Sequence, residues 1–221
     1  MNAKSKLIKL SLITFLSLSL AGCTVIFQKG RRSDIQKIED LSKQLDELAT
    51  AKELLADRLA QEIKDKQVTL KMMEKGLVIT FLADVLFDSG KAVIKPEVYS
   101  ILDKVARVLK EDVPQLNVGI EGHTDNQPIR YSGWKSNWEL STARALSVLH
   151  YLVEKEGILP ERVAAIGYGE YRSVATNDTA EGRHLNRRVE VVILPRTTKI
   201  KEAKKKEKTE TALMEPQGNL K

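Results

Sequence analysis

Gly122-His123-Thr124-Asp125 closes one apolar run, and Asn137-Trp138-Glu139-Leu140-Ser141-Thr142-Ala143-Arg144-Ala145 opens another. The first run, Gln115 to Glu121, has the composition of a β-strand, which puts Asp125 at a strand end. Ser136-x-x-Glu139 has the form of a capping box and starts a helix at Asn137. On that helix Asn137, Leu140, Ser141 and Arg144 share one face at i, i+3, i+4 and i+7. Ala145, Val148, Leu149 and Leu152 form a second stripe for the core, and Gly157 suits the helix end. An acid at a strand end and an arginine nineteen residues later, early on a helix, make a pocket for a zwitterion. The carboxylate takes an ammonium, and the guanidinium fork takes a carboxylate through two parallel hydrogen bonds. The plainer alternative is that Asp125 caps a turn or pairs with Arg144.

The flanking elements follow from periodicity. Val68, Leu70 and Met72 alternate with polar residues as a strand does, Glu74-Lys75-Gly76 reads as a turn, and Leu77 to Leu82 reads as a buried strand. Phe87-Asp88-Ser89-Gly90 leads into a loop, and Pro96 suits the first turn of a helix. Val98, Ile101, Leu102, Val105, Val108 and Leu109 give that helix one apolar face. Val163 to Ile166 and Arg188 to Leu194 supply the last strands. The order β-β-α-β-α-β-β predicts an α+β fold over 67–195, with two main helices packed on a mixed sheet.

Gly167-Tyr168-Gly169-Glu170 and Asn186-Arg187-Arg188-Val189-Glu190 complete a motif series that resembles the OmpA-like C-terminal domain, over roughly 78–194. That family binds the diaminopimelate of peptidoglycan. The resemblance implies that Asp125, after His123-Thr124, contacts diaminopimelate and that Arg144 holds its carboxylate. Thr124, Asn137, Leu140, Asp88 and Arg187 complete the implied ligand-binding set. Asp88 falls in a pocket-wall loop, and Arg187 is preferred over Arg188 for the pocket without the two being separable. The stretch from Asn126 to Leu140 is most similar to MotB, a flagellar stator family. MotB carries a transmembrane helix with a proton-carrying aspartate, and this chain has no acid in its apolar segment, so that role is not carried over. Val174 stands where relatives often have proline, which predicts a looser loop there.

The chain start reads as a targeting segment over 1–23. Lys4, Lys6 and Lys9 precede the apolar stretch Leu10 to Leu20, which is too short to span a bilayer comfortably. Leu20-Ala21-Gly22-Cys23 resembles a lipobox, with Cys23 taking lipid. Thr24 in place of an aspartate points, by resemblance to a sorting rule, to the outer membrane facing the periplasm. A lone cysteine leaves no internal disulfide framework. Residues 24–33 read as a tether. Residues 34–66 read as one long helix, because Ile38, Leu41, Leu45, Leu48, Leu55 and Leu59 follow heptad spacing with neither Pro nor Gly. That seam predicts self-association or a protein partner, against the alternative of an amphipathic helix lying on its own domain. Residues 196–221 carry eight basic and four acidic residues and read as a disordered tail.

Charge and composition exclude other classes. The first 23 residues contribute +3 and residues 196–221 contribute +4 to a total of +6, so the body is at −1. No basic face for nucleic acid is expected there. The three histidines, His123, His150 and His184, form no spacing that predicts a metal site, and no cofactor motif is present. His123 and Asp125 are expected to share a sheet face, and no nucleophile turn accompanies them, so catalysis is not expected. The reading is an outer-membrane lipoprotein that holds peptidoglycan, with a wall-anchored adaptor of a secretion or motility complex as the alternative.

Overall fold

The computed structural model describes residues 34–129 and 133–195. Cys23, the tether 24–33, Arg130 and the basic tail 196–221 lie outside the described residues. The chain divides into two compact units, Met1–Ala49 and Thr50–Lys221.

In the first unit, residues 34–49 are helical. The heptad residues Ile38, Leu41 and Leu45 are 65%, 52% and 61% exposed, while Leu48 is buried. In the second unit the helix, α1 (34–58 in all), continues to 58 and breaks its regularity at Leu59 (φ −108°, ψ 18°). A short helix α2 (Ala60–Lys64) follows. Hydrogen bonds cross the break, from Leu59 N to Leu55 O and from Ile63 N to Leu59 O. The expectation of one uniform helix over 34–66 is therefore corrected at Leu59. The second compact unit begins at Thr50, ahead of the expected domain start at 67, and Ala51, Leu55 and Leu59 within it are fully buried. Arg58 adds ion pairs to Glu111 and Asp112, and Lys104 bonds Glu62 at 2.6 Å.

The sheet holds five strands in the order β1-β2-β5-β3-β4: β1 (Val68–Met73), β2 (Gly76–Leu82), β3 (Asn117–His123), β4 (Val163–Gly167) and β5 (Arg188–Leu194). All neighbours are antiparallel except β3 and β4. A mixed sheet results because β3 and β4 are joined through a helix, whereas β1 and β2 form a hairpin on Glu74-Lys75. The outer half of β1 lacks cover, so Met72 is exposed despite its alternating pattern.

Two main helices cover one face, as the sequence predicts. They are α4 (Tyr99–Glu111), entered through a 3-10 turn with Pro96 at its start, and α5 (Asn137–His150), extended by a π-helical stretch Tyr151–Lys155. All six apolar residues expected on the first helix are buried, and on α5 Ala145, Val148 and Leu152 are buried while Leu149 is only half-buried. Two short helices were not foreseen: α3 (Ala83–Leu86) and α6 (Ala180–Asn186). Their few residues show too little periodicity to stand out from loop.

The start of α5 approaches the sheet closely. A Cβ on Gly122 would lie 2.0 Å from the Ser141 carbonyl oxygen, and one on Gly167 would lie 2.1 Å from Thr142 Oγ1. Only glycine permits this approach, which is why the Gly-His-Thr-Asp and Gly-Tyr-Gly segments begin as they do. Gly122 pairs with Val189 in the ladder, so Val189, Val191 and Ile193 share the face beneath α5. Glu121, His123 and Glu190 lie on the opposite face.

Candidate ligand-binding site

Three elements converge on one cavity of about 700 Å³. The end of β3 delivers Thr124 and Asp125, the first two turns of α5 deliver Asn137, Leu140 and Arg144, and the start of β5 delivers Arg187. The loop after α3 forms a further wall with Phe87, Asp88 and Lys91. All seven positions named from the sequence line this one space.

The local structure that sets these side chains is well determined by hydrogen bonds. Ser136 caps α5 by accepting from Glu139 N at 3.3 Å. The Glu139 carboxylate reaches Lys135 N at 2.9 Å rather than Ser136 N, so the capping box is offset by one residue. Asn137 acts as a tie. Its Nδ2 donates to Asp125 O, to Gln127 O and, at 2.8 Å, to the Glu170 carboxylate. Asp125 Oδ1 accepts from Gln127 N at 3.1 Å, which closes the turn after β3.

Asp125 does not pair with Arg144. Its partner is Arg187, whose Nη1 lies 2.7 Å from Asp125 Oδ2. Arg144 is 4% exposed and donates from Nε to the Lys91 carbonyl at 2.9 Å, with its guanidinium 5.3 Å above the Phe87 ring centroid. Among the described residues, no carboxylate lies within ion-pair distance of Arg144 and no acceptor meets its two Nη atoms. Its pKa falls to about 10, first through burial, then through the charge of Arg187, with Asp125 opposing. The arrangement is a buried cationic fork short of an anion among the described residues, beside an acid with a half-buried counterion. It can take a carboxylate and an ammonium together.

The remaining predicted residues take different places. Thr124 is buried, its N–H donates to Gly169 O, and its hydroxyl finds no partner among the described residues. Leu140 is buried at the cavity wall. Asp88 stands exposed at the rim, where the Lys91 hydrogen bond at 2.9 Å lowers its pKa. Arg188 is buried away from the cavity, bonded to Glu190, Asn186 O and Arg172 O. Geometry thus separates the two arginines that the sequence could not.

His123 and Asp125 do not share a sheet face, which corrects that expectation. The strand ends at His123, whose ring stacks on Tyr168 at 5.3 Å on the face away from α5. Glu121, His123 and Glu190 bring metal-ligand atoms within 4.8 Å of one another, a cluster the sequence spacing did not suggest. The Lys75 ammonium already bridges the two carboxylates at 2.6 and 2.7 Å. His123 has a pKa lowered to about 3, by burial first and then by Arg188. Val174 does not loosen its loop, because Asn186 Oδ1 accepts from both Val174 N and Ala175 N. Asp84 lines the cavity, and Trp134 donates to the carbonyl of the lining residue Gly90 at 2.8 Å; sequence reasoning missed both.

Residues 86–187 match the OmpA family. The cell wall anchor of the T6SS from Pseudomonas aeruginosa has a similar structure, with a TM-score of 0.58 and 37% identity over 64% of this chain and 97% of that one. Motility protein B of Bacillus subtilis strain 168 is 39% identical over 166 residues, which are 75% of this chain and 59% of that protein. Outer membrane protein A of Bordetella avium is 38% identical over 136 residues, 62% of this chain and 64% of that protein. The chain therefore spans about three fifths of the full length of these two relatives.

Proposed function

The chain belongs to the OmpA family, and on that basis we propose that its cavity binds the diaminopimelate of peptidoglycan. The observation that carries this reading is Arg144, a buried guanidinium in the cavity that lacks a carboxylate among the described residues. The ligand carboxylate supplies that missing anion. The ligand ammonium goes to Asp125, and Thr124 offers a hydroxyl beside it. Asn137 and Leu140 hold the lip and wall, and Arg187 alternates between Asp125 and the ligand's remaining carboxylate. Asp88 acts at the rim. The role is non-covalent anchorage, with no chemical step and no cofactor. In this reading Cys23 is lipidated and holds the protein in the outer membrane, facing the periplasm, so that the chain ties that membrane to the wall.

The test is calorimetric titration of the protein with meso-diaminopimelate and with lysine. Diaminopimelate binds and lysine binds much more weakly, because lysine lacks the second carboxylate. Equal affinity for the two sinks the site assignment. Lipidation is checked separately with Cys23→Ser, which releases the protein from the outer-membrane fraction once the wall is digested.

A second reading is favoured by the exposed Ile38, Leu41 and Leu45 and by the similarity to a T6SS wall anchor. Here the wall contact serves as the fixed point of an envelope secretion or motility complex, and helix 34–66 binds a partner or a second copy. Cross-linking from residues 38 and 45 distinguishes the two. A specific protein adduct supports the adaptor, and its absence leaves the segment as a spacer.

A further inference from the structure

We propose that Trp138 and Tyr171 form a second subsite, an aromatic platform for an N-acetylated pyranose ring of the glycan strand. This rests on the peptidoglycan reading of the cavity. The two rings stack at 5.1 Å with 23° between their planes. They are nevertheless 48% and 67% exposed, so the pair is presented to solvent rather than absorbed into a core.

The other stacked pairs differ. Tyr151 stacks on Tyr99 and bonds the Asp103 carboxylate through its hydroxyl, which locks that pair into the helix packing. Tyr168 is covered by His123 on one side and by the Arg172 guanidinium at 5.3 Å. The Trp138 indole N–H and the Tyr171 hydroxyl have no hydrogen-bond partner among the described residues. A flat apolar face bordered by free polar donors fits a sugar, whose C–H face is apolar and whose hydroxyl and acetamido groups accept hydrogen bonds.

The platform is joined to the cavity through its immediate neighbours. Asn137 lines the cavity and precedes Trp138; Glu170 precedes Tyr171; and Asn137 Nδ2 bonds the Glu170 carboxylate at 2.8 Å. The loop beneath is pinned at Gly169 (φ +56°), whose N–H donates to Ser141 Oγ and whose carbonyl accepts from Thr124 N. The rings are thus pre-positioned, which lowers the ordering cost of binding. A stem peptide joins its diamino acid to the sugar through two residues, a span of roughly 10 Å when extended. The platform begins at the residue after the cavity residue Asn137, so one peptidoglycan unit reaching both sites gains avidity from the second contact.

The experiment uses the full chain with two probes: free meso-diaminopimelate, and glycan strands stripped of peptide by an amidase. Both are followed by calorimetry. Wild type binds both. Trp138→Ala and Tyr171→Ala each lose about tenfold or more for the peptide-free strands, the scale of one truncated aromatic anchor. Neither variant changes affinity for diaminopimelate, which also shows that the fold is intact. Trp138→Phe keeps most of the glycan affinity because it keeps a stacking face. The proposal is overturned if wild type ignores peptide-free strands or if both alanine variants bind them as wild type does. In that case the exposed pair serves a protein contact. Loss of both probes together also overturns it, because the pair would then only brace the cavity. Glycan binding without diaminopimelate binding sinks the cavity reading and leaves the platform standing.

Discussion

Replacing Arg144 with Met should weaken diaminopimelate binding roughly 10- to 150-fold while changing stability by no more than about 2 kcal/mol. The guanidinium is held in the fold at a cost, since burial first and the charge of Arg187 second pull its pKa down to about 10. At about 1.4 kcal/mol per unit, that is roughly 3 kcal/mol against the charged form. Sign matters here. For a base with a depressed pKa the penalty is fully present below about pH 10 and disappears only as pH rises from there into the ordinary arginine range, so it applies at neutral pH. Two contacts offset it. The hydrogen bond to the Lys91 carbonyl contributes about 1.5–3 kcal/mol, and the Phe87 contact about 0.5–2 kcal/mol. Met fills most of the same volume without a charge, so the net change runs from a gain of about 1 kcal/mol to a loss of about 2 kcal/mol. For a unit of this size that lowers Tm by no more than about 8 °C. Binding behaves differently. Loss of a charge-assisted fork costs about 1.5–3 kcal/mol, or roughly 10- to 150-fold in Kd for diaminopimelate. Arg144→Lys should also bind poorly, because an ammonium cannot present two parallel donors. Calorimetric titration and thermal unfolding on the same samples decide the matter. A Tm fall of about 10 °C would show that Arg144 is a structural brace for the 88–91 loop. Wild-type affinity with an intact fold would remove it from the ligand site.

Asn137→Ala frees the turn after β3 from α5 and from Glu170, so diaminopimelate affinity falls several-fold although the side chain is peripheral to the charge pair; hydrogen exchange of Gln127 N–H reports the loosening, and unchanged exchange refutes it. Folding stability should be flat from about pH 6.5 to 10 and fall as pH drops toward 3, because buried His123 must stay neutral while Glu190, whose pKa is lowered by Lys75 and Arg188 against the opposing effect of burial, must stay ionised. His123→Phe should remove up to about 5 kcal/mol of that dependence, measured by urea unfolding across pH, and an identical slope in the variant contradicts the assignment. A fragment 50–195 should fold fully, whereas 67–195 should be less stable by roughly 3–6 kcal/mol, since it lacks buried Leu55 and Leu59; equal urea midpoints for the two would place the domain start at 67 after all.

The strands and the two main helices were legible in the sequence because each rests on local patterns. The apolar face from Val98 to Leu109 has a 3.6-residue period, the run from Arg188 to Leu194 matches its strand residue for residue, and Ser136 caps its helix through a contact three residues away. Local spacing also placed Asn137, Leu140 and Arg144 on one helix face, and all three line the cavity. The pairing of charges was not legible. Asp125 chose Arg187, sixty-two residues away, over Arg144, because the start of β5 carries Arg187 to the end of β3 while Lys91 O and the Phe87 ring occupy Arg144. The same holds for Arg187 against Arg188. Adjacent strand residues point to opposite faces, so one enters the cavity and the other joins Lys75, Glu121 and Glu190 beyond the sheet. The leucine heptads show the division most plainly. One spacing runs from Ile38 to Leu59, yet its first three residues are exposed and Leu55 and Leu59 are core. Periodicity states which side of a helix is apolar; only packing in three dimensions states whether anything covers it.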